Sequence, residues 1–310
     1  MLKNPKIYIA GHKGMVGSAI ARRLEKSGYT QVITRTHNEL DLTDQAAVSA
    51  FLKAEKPDYV FLAAAKVGGI QANNTYRADF LYQNLMIEAN IIHAAWEAGV
   101  ERLLFLGSSC IYPRDCSQPI KEEYLLTGPL EPTNEPYAIA KIAGVKLCEN
   151  YNRQFGTKYL SAMPTNLYGP NDNYDLNNSH VLPALIRKAH EAKINGGKEL
   201  VVWGSGQPMR EFLYVDDMAD ACVFLMEKEI LGGLFNIGTG EDTTIRELAA
   251  SVLNAIDFDA KLTFDVSKPD GTPRKLLNVE KMANLGWKSS TSLRDGIRLA
   301  YTDFLAKLNA

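Results

Sequence analysis

A glycine-rich turn near the start of the chain places the strongest constraint on its fold. Gly11, Gly14 and Gly17 form the pattern G-x-x-G-x-x-G, which follows an apolar run at residues 6–10 and opens a helix-like run from Val16 to Gly28. Glycine permits a tight turn and a close approach of the backbone to a pyrophosphate, and a helix N-terminus presents free N–H groups to such an anion. A plain glycine turn is the alternative, but the strand–turn–helix context favours a dinucleotide-binding site.

Strand-like and helix-like segments alternate through the first half of the chain. We predict strands at residues 6–10, 31–36, 58–65, 102–109 and 160–169, and helices at 16–28, 41–57, 77–99 and 137–155. This alternation predicts the α/β class, with a doubly wound parallel sheet of the Rossmann type that carries helices on both faces.

The second half of the chain has a less regular pattern. Segment 166–213 is rich in loop residues around one helix near 181–194, a helix capped by Thr243 follows, and residues 267–279 read as a loop. We therefore predict a smaller C-terminal α/β substrate domain beside the sheet. The expected boundaries are 1–165 with a returning segment at about 214–245 for the cofactor domain, and 166–213 with 246–310 for the substrate domain.

The charge balance and the cysteines exclude several classes of protein. Lys plus Arg number 34 and Asp plus Glu number 36, a net charge of -2 that argues against a nucleic-acid binder or a polybasic membrane binder. The apolar run at the N-terminus is short, so we expect neither a secretory signal nor a membrane span. The four cysteines have no metal-site spacing and are too sparse for a disulfide framework, which predicts a reducing, cytoplasmic compartment and no metal; they are Cys110, Cys116, Cys148 and Cys222.

Basic residues after the second predicted strand bear on the choice of cofactor. An NAD site usually has an acidic residue here, bound to the ribose 2′-hydroxyl. This strand instead runs into Arg35 and His37, with Glu39 and Asp41 only later, and Lys13 lies in the glycine turn. Solvated surface charges are the alternative, but cations around a 2′-phosphate favour NADP(H).

A serine, a tyrosine and a lysine predict a catalytic group at the same end of the sheet. Tyr137 and Lys141 are four residues apart in a predicted helix and so share one face of it. Ser108 and Ser109 lie at the end of the fourth predicted strand, where ligands bind in a doubly wound sheet. We expect Lys141 to lower the phenol pKa and hold the ribose, Tyr137 to give a proton to a carbonyl oxygen, and Ser108 to hold that oxygen.

With these motifs in place, the chain resembles the extended short-chain dehydrogenase/reductase family. Within that family it is similar to enzymes that convert GDP-4-keto-6-deoxy-D-mannose to GDP-L-fucose. The resemblance extends from about Lys6 to about Gly286 and rests on the runs GHKGMVGSAI, AAAKVGGI, LGSSCIYP, EPTNEPYAIAKIAG, MPTNLYGP, NSHVLPALIRK, VVWGSGQPMREFL and SKPDGTPRKLL.

The resemblance implies a two-step reaction and further site residues. The reaction is 3,5-epimerisation followed by reduction of the C4 ketone with NADPH, with Cys110 as the base and His180 as the acid. The resemblance also implies a homodimer paired through helices near 85–99 and 138–155. From the residue types alone, Cys110 is more often an inert packed thiol and His180 a loop histidine with ordinary hydrogen bonds, so the resemblance carries both assignments.

The resemblance also implies contacts to the cofactor and the substrate. The GDP group is expected to contact Lys188, Trp203, Arg210 and Asp270, with the choice between Arg187 and Lys188 open. At His37 and Lys13 the family usually has arginine, so we expect a weaker but not reversed preference for NADP. The implied cofactor contacts are Gly11, His12, Lys13, Gly14, Met15, Val16, Gly17, Arg35, His37, Asp41, Leu42, Leu106, Gly107, Ser108, Ser109, Lys141, Pro164, Thr165, Asn166, Leu167 and His180.

Three alternatives remain for the function. A 4,6-dehydratase usually has a carboxylate after this strand, whereas this chain has Ser108-Ser109-Cys110. A 4-epimerase keeps its NAD bound and consumes no NADPH. A non-catalytic NADP-binding protein has no need of an intact Ser108, Tyr137 and Lys141.

Overall fold

The computed structural model describes residues 4–176 and 178–308. Residues 1–3 and 309–310, at the ends of the two predicted domains, and residue 177, in the predicted loop before His180, lie outside the described residues. No helix in the described part is long and apolar enough to cross a membrane.

Helices and strands alternate along the described chain, as expected. The helices are Met15–Lys26 (α1), Gln45–Glu55 (α2), Ile70–Thr75 (α3), Arg77–Glu97 (α4), Glu135–Phe155 (α5), Val181–Ile194 (α6), Val215–Glu227 (α7), Ile245–Ala255 (α8), Glu280–Asn284 (α9) and Leu293–Leu308 (α10). The strands are Ile7–Ala10 (β1), Val32–Thr34 (β2), Tyr59–Leu62 (β3), Arg102–Leu106 (β4), Lys158–Pro164 (β5), Asn166–Tyr168 (β6), Glu199–Trp203 (β7), Met209–Tyr214 (β8), Gly233–Ile237 (β9), Asp242–Thr244 (β10), Lys261–Asp265 (β11) and Arg274–Lys275 (β12).

The main sheet has six parallel strands in the order β2-β1-β3-β4-β5-β9. The chain proceeds from β1 to β2 on one side and then returns to place β3 on the other side, so the strand order reverses beside β1. Ligands of doubly wound sheets bind at such a reversal, outside the carboxyl ends of the strands. The predicted α/β class with a parallel, Rossmann-like sheet is confirmed.

Alternating side chains of the strands build one core on each face of this sheet. Ile7 and Ile9 of β1 pack with Met218 of α7 on one face, whereas Tyr8 packs with Ile91 of α4 on the other. Because a strand sends successive side chains to opposite faces, the fully buried run of β1 can serve both cores. Helices α1 and α7 therefore cover one face, and α2, α4 and α5 cover the other.

Two smaller sheets and a third core lie beyond the end of β5. Strand β8 pairs with β10, β12 and β6, and β11 pairs with β7. Helices α6, α8 and α10 close this core around residues such as Leu182, Leu248 and Ile297. Buried Glu211 of β8 accepts hydrogen bonds from the backbone N–H groups of Gly240 (2.8 Å) and Leu277 (3.0 Å), which ties three segments together.

Several predicted boundaries are wrong. Helix α8 is capped by Thr244 rather than Thr243, because Glu247 completes a capping box with Thr244. The predicted loop at 267–279 contains β12. This strand forms by pairing with β8, which lies in a distant part of the chain. Helix α5 begins at Glu135, two residues earlier than expected, because Pro136 fits the first turn of a helix.

The glycine turn lets α1 begin almost in contact with β1. Gly11 adopts a φ of 87°, and its carbonyl accepts a hydrogen bond from the N–H of Gly14 at 3.0 Å. A Cβ atom on Gly17 would lie 2.1 Å from the Gly11 carbonyl oxygen, whereas one on Gly14 would lie 3.4 Å from it. Gly17 is therefore required for the packing of α1, and Gly14 is not.

We predict that Gly17→Ala lowers the free energy of unfolding by about 3 kcal/mol. The added methyl group would clash with backbone atoms of Gly11 and His12, which cannot move aside as a flexible side chain can. Gly14→Ala, the matched control, is expected to cost about 1 kcal/mol or less, as for alanine at a helix N-cap. Denaturant unfolding without added nucleotide measures both. Equal losses in the two variants would contradict the role assigned to Gly17.

Candidate active site

Tyr137 and Lys141 lie on the face of α5 that meets the end of β4. The Lys141 ammonium nitrogen lies 5.7 Å from the centre of the Tyr137 ring. It donates a hydrogen bond to the carbonyl oxygen of Leu106 at 3.0 Å and lies 2.9 Å from the Glu88 carboxylate of α4. The phenol and the ammonium therefore lie together, and the ammonium is directed into the core.

Ser108 and Cys110 follow β4 and face the same region. A short 3-10 helix over Ser109–Ile111 begins there, and the Ser108 hydroxyl accepts a hydrogen bond from the Cys110 N–H at 3.4 Å. Burial raises the pKa of the Cys110 thiol, and the charge of Lys275, the Ser108 hydroxyl and the charge of Lys141 oppose that rise. Cys110 is thus a buried thiol among groups that stabilise its anion.

The Tyr137 phenol holds its proton firmly. Burial raises its pKa well above the usual value, and Cys110 and Glu88 raise it further, because negative charges disfavour a phenolate. The ring of Phe80 packs edge-on against Tyr137, with the ring centres 6.3 Å apart. Tyr137 is therefore a neutral phenol at neutral pH, the form in which it can give up a proton.

His180 lies at the N-cap of α6, at the start of the smaller α/β region. Its side chain keeps access to solvent, although the surrounding protein desolvates the ring and lowers its pKa; the charge of Lys275 lowers that pKa further. The loop before it packs on Gly69, where an added Cβ would lie 3.2 Å from the Asn178 carbonyl oxygen. His180 is thus a neutral imidazole beside a segment that touches Gly69, in the connection between β3 and α3.

Lys275 is a site residue that sequence reasoning missed. It lies on β12, opposite Arg210 of β8, and its charge acts on both Cys110 and His180. The only sequence signal was its place in the run SKPDGTPRKLL. The fold brings this run beside Cys110 and His180, far earlier in the chain, where the charge of Lys275 can act on them.

The glycine turn forms a cradle with unsatisfied hydrogen-bonding groups. No side chain in the described part of the chain caps helix α1 at Gly14, so the first N–H groups of the helix are left for a ligand. The Nδ1 atom of His12 is buried and has no hydrogen-bond partner among the described residues. Donors of this kind around a glycine turn suit a phosphate group.

The predicted cations for a 2′-phosphate lie near one another, but they differ in how they are held. Arg35 pairs with Glu55 at 2.7 Å and lies over the Phe51 ring at 5.0 Å, whereas Lys13 and His37 are exposed. Glu39 has a lowered pKa, first because Thr36 donates hydrogen bonds to it and then because Arg35 and Lys13 are close.

The other expected cofactor residues line the carboxyl edge of the sheet. Thr165 and Asn166 lie where β5 passes into β6, and their side chains donate to the Glu211 carbonyl oxygen at 3.2 and 2.8 Å. Asp41 is exposed and accepts hydrogen bonds from Thr43. Met15 and Val16 are the first residues of α1, and Leu42 packs on the core beside α2. The remaining residues lie at the ends of strands: Leu106, Gly107 and Ser109 at the end of β4, Pro164 in β5 and Leu167 in β6.

The expected GDP contacts gather in the smaller region. The Lys188 ammonium lies 4.4 Å from the centre of the Trp203 ring, and that ring is 57% exposed. Asp270 accepts hydrogen bonds from the N–H and hydroxyl of Ser205, at 2.9 and 2.6 Å. Arg210 is half-buried, and burial lowers its pKa.

Two further cations bear on this region. Arg187 pairs with Glu191 at 2.7 Å and donates to the Tyr174 carbonyl oxygen at 3.1 Å, which leaves Lys188 as the better placed of the two neighbours. Lys268 also lies over Trp203, at 5.2 Å, and sequence reasoning missed it. An exposed aromatic ring flanked by two ammonium groups is suited to a flat base joined to phosphates.

Comparisons with known proteins show the family to which the chain belongs. Residues 7–238 match the NAD dependent epimerase/dehydratase family. GDP-L-fucose synthase 1 of Arabidopsis thaliana is 60% identical over 98% of this chain and 94% of its own length, and GDP-L-fucose synthase of Escherichia coli is 56% identical over 98% of each. A GDP-mannoheptose C4 reductase of Campylobacter jejuni, solved with NADP bound, is 38% identical, has a TM-score of 0.89, and is matched over 98% of this chain and 99% of its own. The chain therefore belongs to the NAD dependent epimerase/dehydratase family, with GDP-L-fucose synthases among its full-length relatives.

Proposed function

We propose that this protein converts GDP-4-keto-6-deoxy-D-mannose to GDP-L-fucose by 3,5-epimerisation and NADPH-dependent reduction of the C4 ketone. The observation that carries the proposal is the thiol of Cys110 beside Ser108, where Tyr137 and Lys141 meet the end of β4. An enzyme that only reduces the C4 ketone needs the phenol and the ammonium. The buried thiol is an additional acid–base group, which epimerisation requires. The GDP-L-fucose synthases among the relatives support the same activity.

The proposed cofactor is NADP(H), held at the glycine turn. The unpaired His12 nitrogen, the uncapped start of α1 and the close approach permitted by Gly11 and Gly17 fit its pyrophosphate. Lys13 and Arg35 would hold the 2′-phosphate, with His37 nearby. When bound, the nicotinamide supplies the hydride that reduces C4.

In the proposed reduction, the protein supplies the proton. Tyr137, neutral because of its burial, would donate its phenol proton to the ketone oxygen, and Ser108 would hold that oxygen by a hydrogen bond. The positive charge of Lys141 would stabilise the phenolate that remains. Tyr137 and Lys141 lie beside the end of β4 and Ser108 follows that strand, in the region where ligands of doubly wound sheets bind.

In the proposed epimerisation, Cys110 is the base and His180 the acid. The C4 carbonyl makes the protons at C3 and C5 acidic, since the charge left after their removal passes to its oxygen. Burial raises the pKa of Cys110 and lowers that of His180, so both groups are neutral in the resting protein. The active form is then the minor thiolate–imidazolium state, and Lys275 favours its thiolate.

The GDP group is proposed to bind in the smaller region. Lys188 and Arg210 would contact the diphosphate, Trp203 would pack on the base, and Asp270 would accept hydrogen bonds. In this scheme residues 1–165 and about 214–245 hold the cofactor, and residues 166–213 and 246–310 hold the substrate. The reacting sugar would lie between Cys110 and His180.

We also propose a homodimer paired through α4 and α5, in a reducing cytoplasmic compartment. An aromatic cluster joins the outer ends of these helices: Trp96 stacks on Phe155 with ring centres 4.2 Å apart, and Phe155 is 41% exposed. Exposed aromatic groups of this kind are typical of interface centres. All four cysteines are free thiols, as the proposed base requires.

We predict that the protein, mixed with GDP-4-keto-6-deoxy-D-mannose and NADPH, oxidises NADPH and forms GDP-L-fucose. Nicotinamide absorbance and chromatography of the product measure both. NADH is expected to be used less well, because it lacks the 2′-phosphate. Formation of an unepimerised alcohol would instead indicate a plain C4 reductase, and no NADPH oxidation would favour a 4-epimerase, a dehydratase or a non-catalytic binder.

Cys110→Ser is expected to slow the exchange of the C3 and C5 protons with solvent by about 100-fold or more, because an acid–base group is lost. Binding of NADPH, followed by its fluorescence, should be unchanged. Cys116→Ser, which alters a half-buried thiol outside the proposed chemistry, is the control. Full exchange activity in Cys110→Ser would remove the role of Cys110 as base.

Lys275→Met is expected to move the pH profile of proton exchange to higher pH. The Lys275 charge lowers the pKa of both Cys110 and His180, so its removal raises both, and each limb of a bell-shaped profile should rise by about 0.5–1 pH unit. Arg274→Met removes the adjacent charge, which is exposed and paired with Asp242 at 2.5 Å, and should leave the profile in place. Limbs that stay fixed in Lys275→Met would contradict this electrostatic role.

A further inference from the structure

A glutamate is buried next to Lys141, beneath the proposed catalytic tyrosine. Glu88 of α4 is 1% exposed, and its Oε1 atom lies 2.9 Å from the ammonium of Lys141, which is equally buried. Neither carboxylate oxygen has a well-formed hydrogen bond among the described residues, so this ion pair is the main polar contact of Glu88. Nothing in the proposed chemistry so far uses this carboxylate.

The packing around Glu88 is shaped to hold it. A Cβ atom on Gly144 of α5 would lie 2.8 Å from the Glu88 Oε2 atom and 2.4 Å from the ring of Phe105. Glycine within a helix costs about 0.5–1 kcal/mol relative to alanine. The Phe105 ring in turn lies under the Lys141 ammonium, 4.7 Å from it. Gly144, Phe105 and Lys141 therefore form a pocket for one carboxylate.

Such a pair is a poor device for stability alone. Removing two charges from water costs more than an apolar pair of similar size, and replacing a buried ion pair by apolar side chains is often neutral or stabilising. The pair also lies against a group of the site, since the Lys141 ammonium is 5.7 Å from the centre of the Tyr137 ring. A role in setting the charge at Tyr137 explains its position.

We propose that Glu88 is a positioning residue for the reduction: it holds the Lys141 side chain beneath Tyr137 and offsets its charge, so that the phenol keeps its proton until the ketone oxygen takes it. This inference rests on the function proposed above. Glu88 touches neither substrate nor cofactor in this scheme and acts through Lys141. Burial raises the pKa of the Glu88 carboxyl, and the charge of Lys141 opposes that rise, so the ion pair is what favours a negative charge at this buried position.

The sign of the effect follows from the groups that face one another here. Glu88 faces Lys141, Tyr137 and Cys148, and Tyr137 also faces Cys110, with Lys275 beyond it. Without the negative charge of Glu88, the phenol loses its proton at lower pH. The reduction therefore ends at a lower pH in a protein without this charge.

The test follows reduction alone. Enzyme is first equilibrated with the keto sugar, NADPH is then added, and the rate of its oxidation is measured against pH. In Glu88→Gln, which keeps the shape and loses the charge, the basic limb should move down by about one pH unit. In Glu88→Asp, which loses a methylene group and keeps the charge, the limb should stay in place. Glu101→Gln, at an exposed glutamate paired with Lys158, is the control.

The outcomes separate the possibilities. A purely structural role predicts the larger defect in Glu88→Asp and a fixed limb in both variants, and that result would overturn the proposal. If Glu88→Gln does not fold, Gly144→Ala is used instead, because it displaces the carboxylate with no change of charge. A smaller shift of the basic limb in the same direction then supports the proposal, and an unmoved basic limb overturns it. A wild-type protein that oxidises no NADPH overturns the proposed function first, and this inference with it.

Discussion

The parallel alignment of the main sheet is the constraint on which the rest of the site depends. Because every strand of this sheet runs the same way, the ends of β1, β4 and β5 lie along one edge. The glycine turn, Ser108 with Cys110, and Thr165 with Asn166 follow those three strands. Residues more than 150 positions apart therefore line one groove, and α5 needs only to lie across the end of β4 to bring Tyr137 and Lys141 to it.

Local signals identified this edge from the sequence, and contacts distant in the chain explain what they missed. The turn at Gly11–Gly17 and the spacing of Tyr137 and Lys141 are short patterns with a direct geometric meaning. The position of Lys275 depends instead on a two-residue strand that pairs with β8, and nothing in residues 267–279 indicates that pairing. Arg35 matched the expected pattern of charge, yet its ion pair is with Glu55 at the end of α2, 20 positions along the chain.

Protonation states were the other part that sequence could not supply. Cys110, Tyr137 and His180 have suitable residue types, but burial sets which form of each is populated, and burial belongs to the folded protein. All three are neutral in the resting protein. The groups that act on them are Lys141, Lys275 and Glu88, of which only Lys141 was expected; burial lowers the pKa of Lys275 and raises that of Glu88. These neutral acids and bases have pKa values that depend on a few buried ionisable groups. Such a site suits a substrate that must exchange protons bound to carbon and also accept a proton on its carbonyl oxygen.

One site is proposed to perform both epimerisation and reduction, and the most direct measurement of this locates the hydrogens in the product. The keto sugar is converted with unlabelled NADPH in D2O, and the GDP-sugar formed is examined by proton NMR and mass spectrometry. Deuterium at C3 and C5 with hydrogen at C4 is the expected result, because the first two arrive from solvent-exchanged groups and the third from the cofactor. A reduced product with hydrogen retained at C3 and C5 would contradict the claim and leave only a C4 reductase.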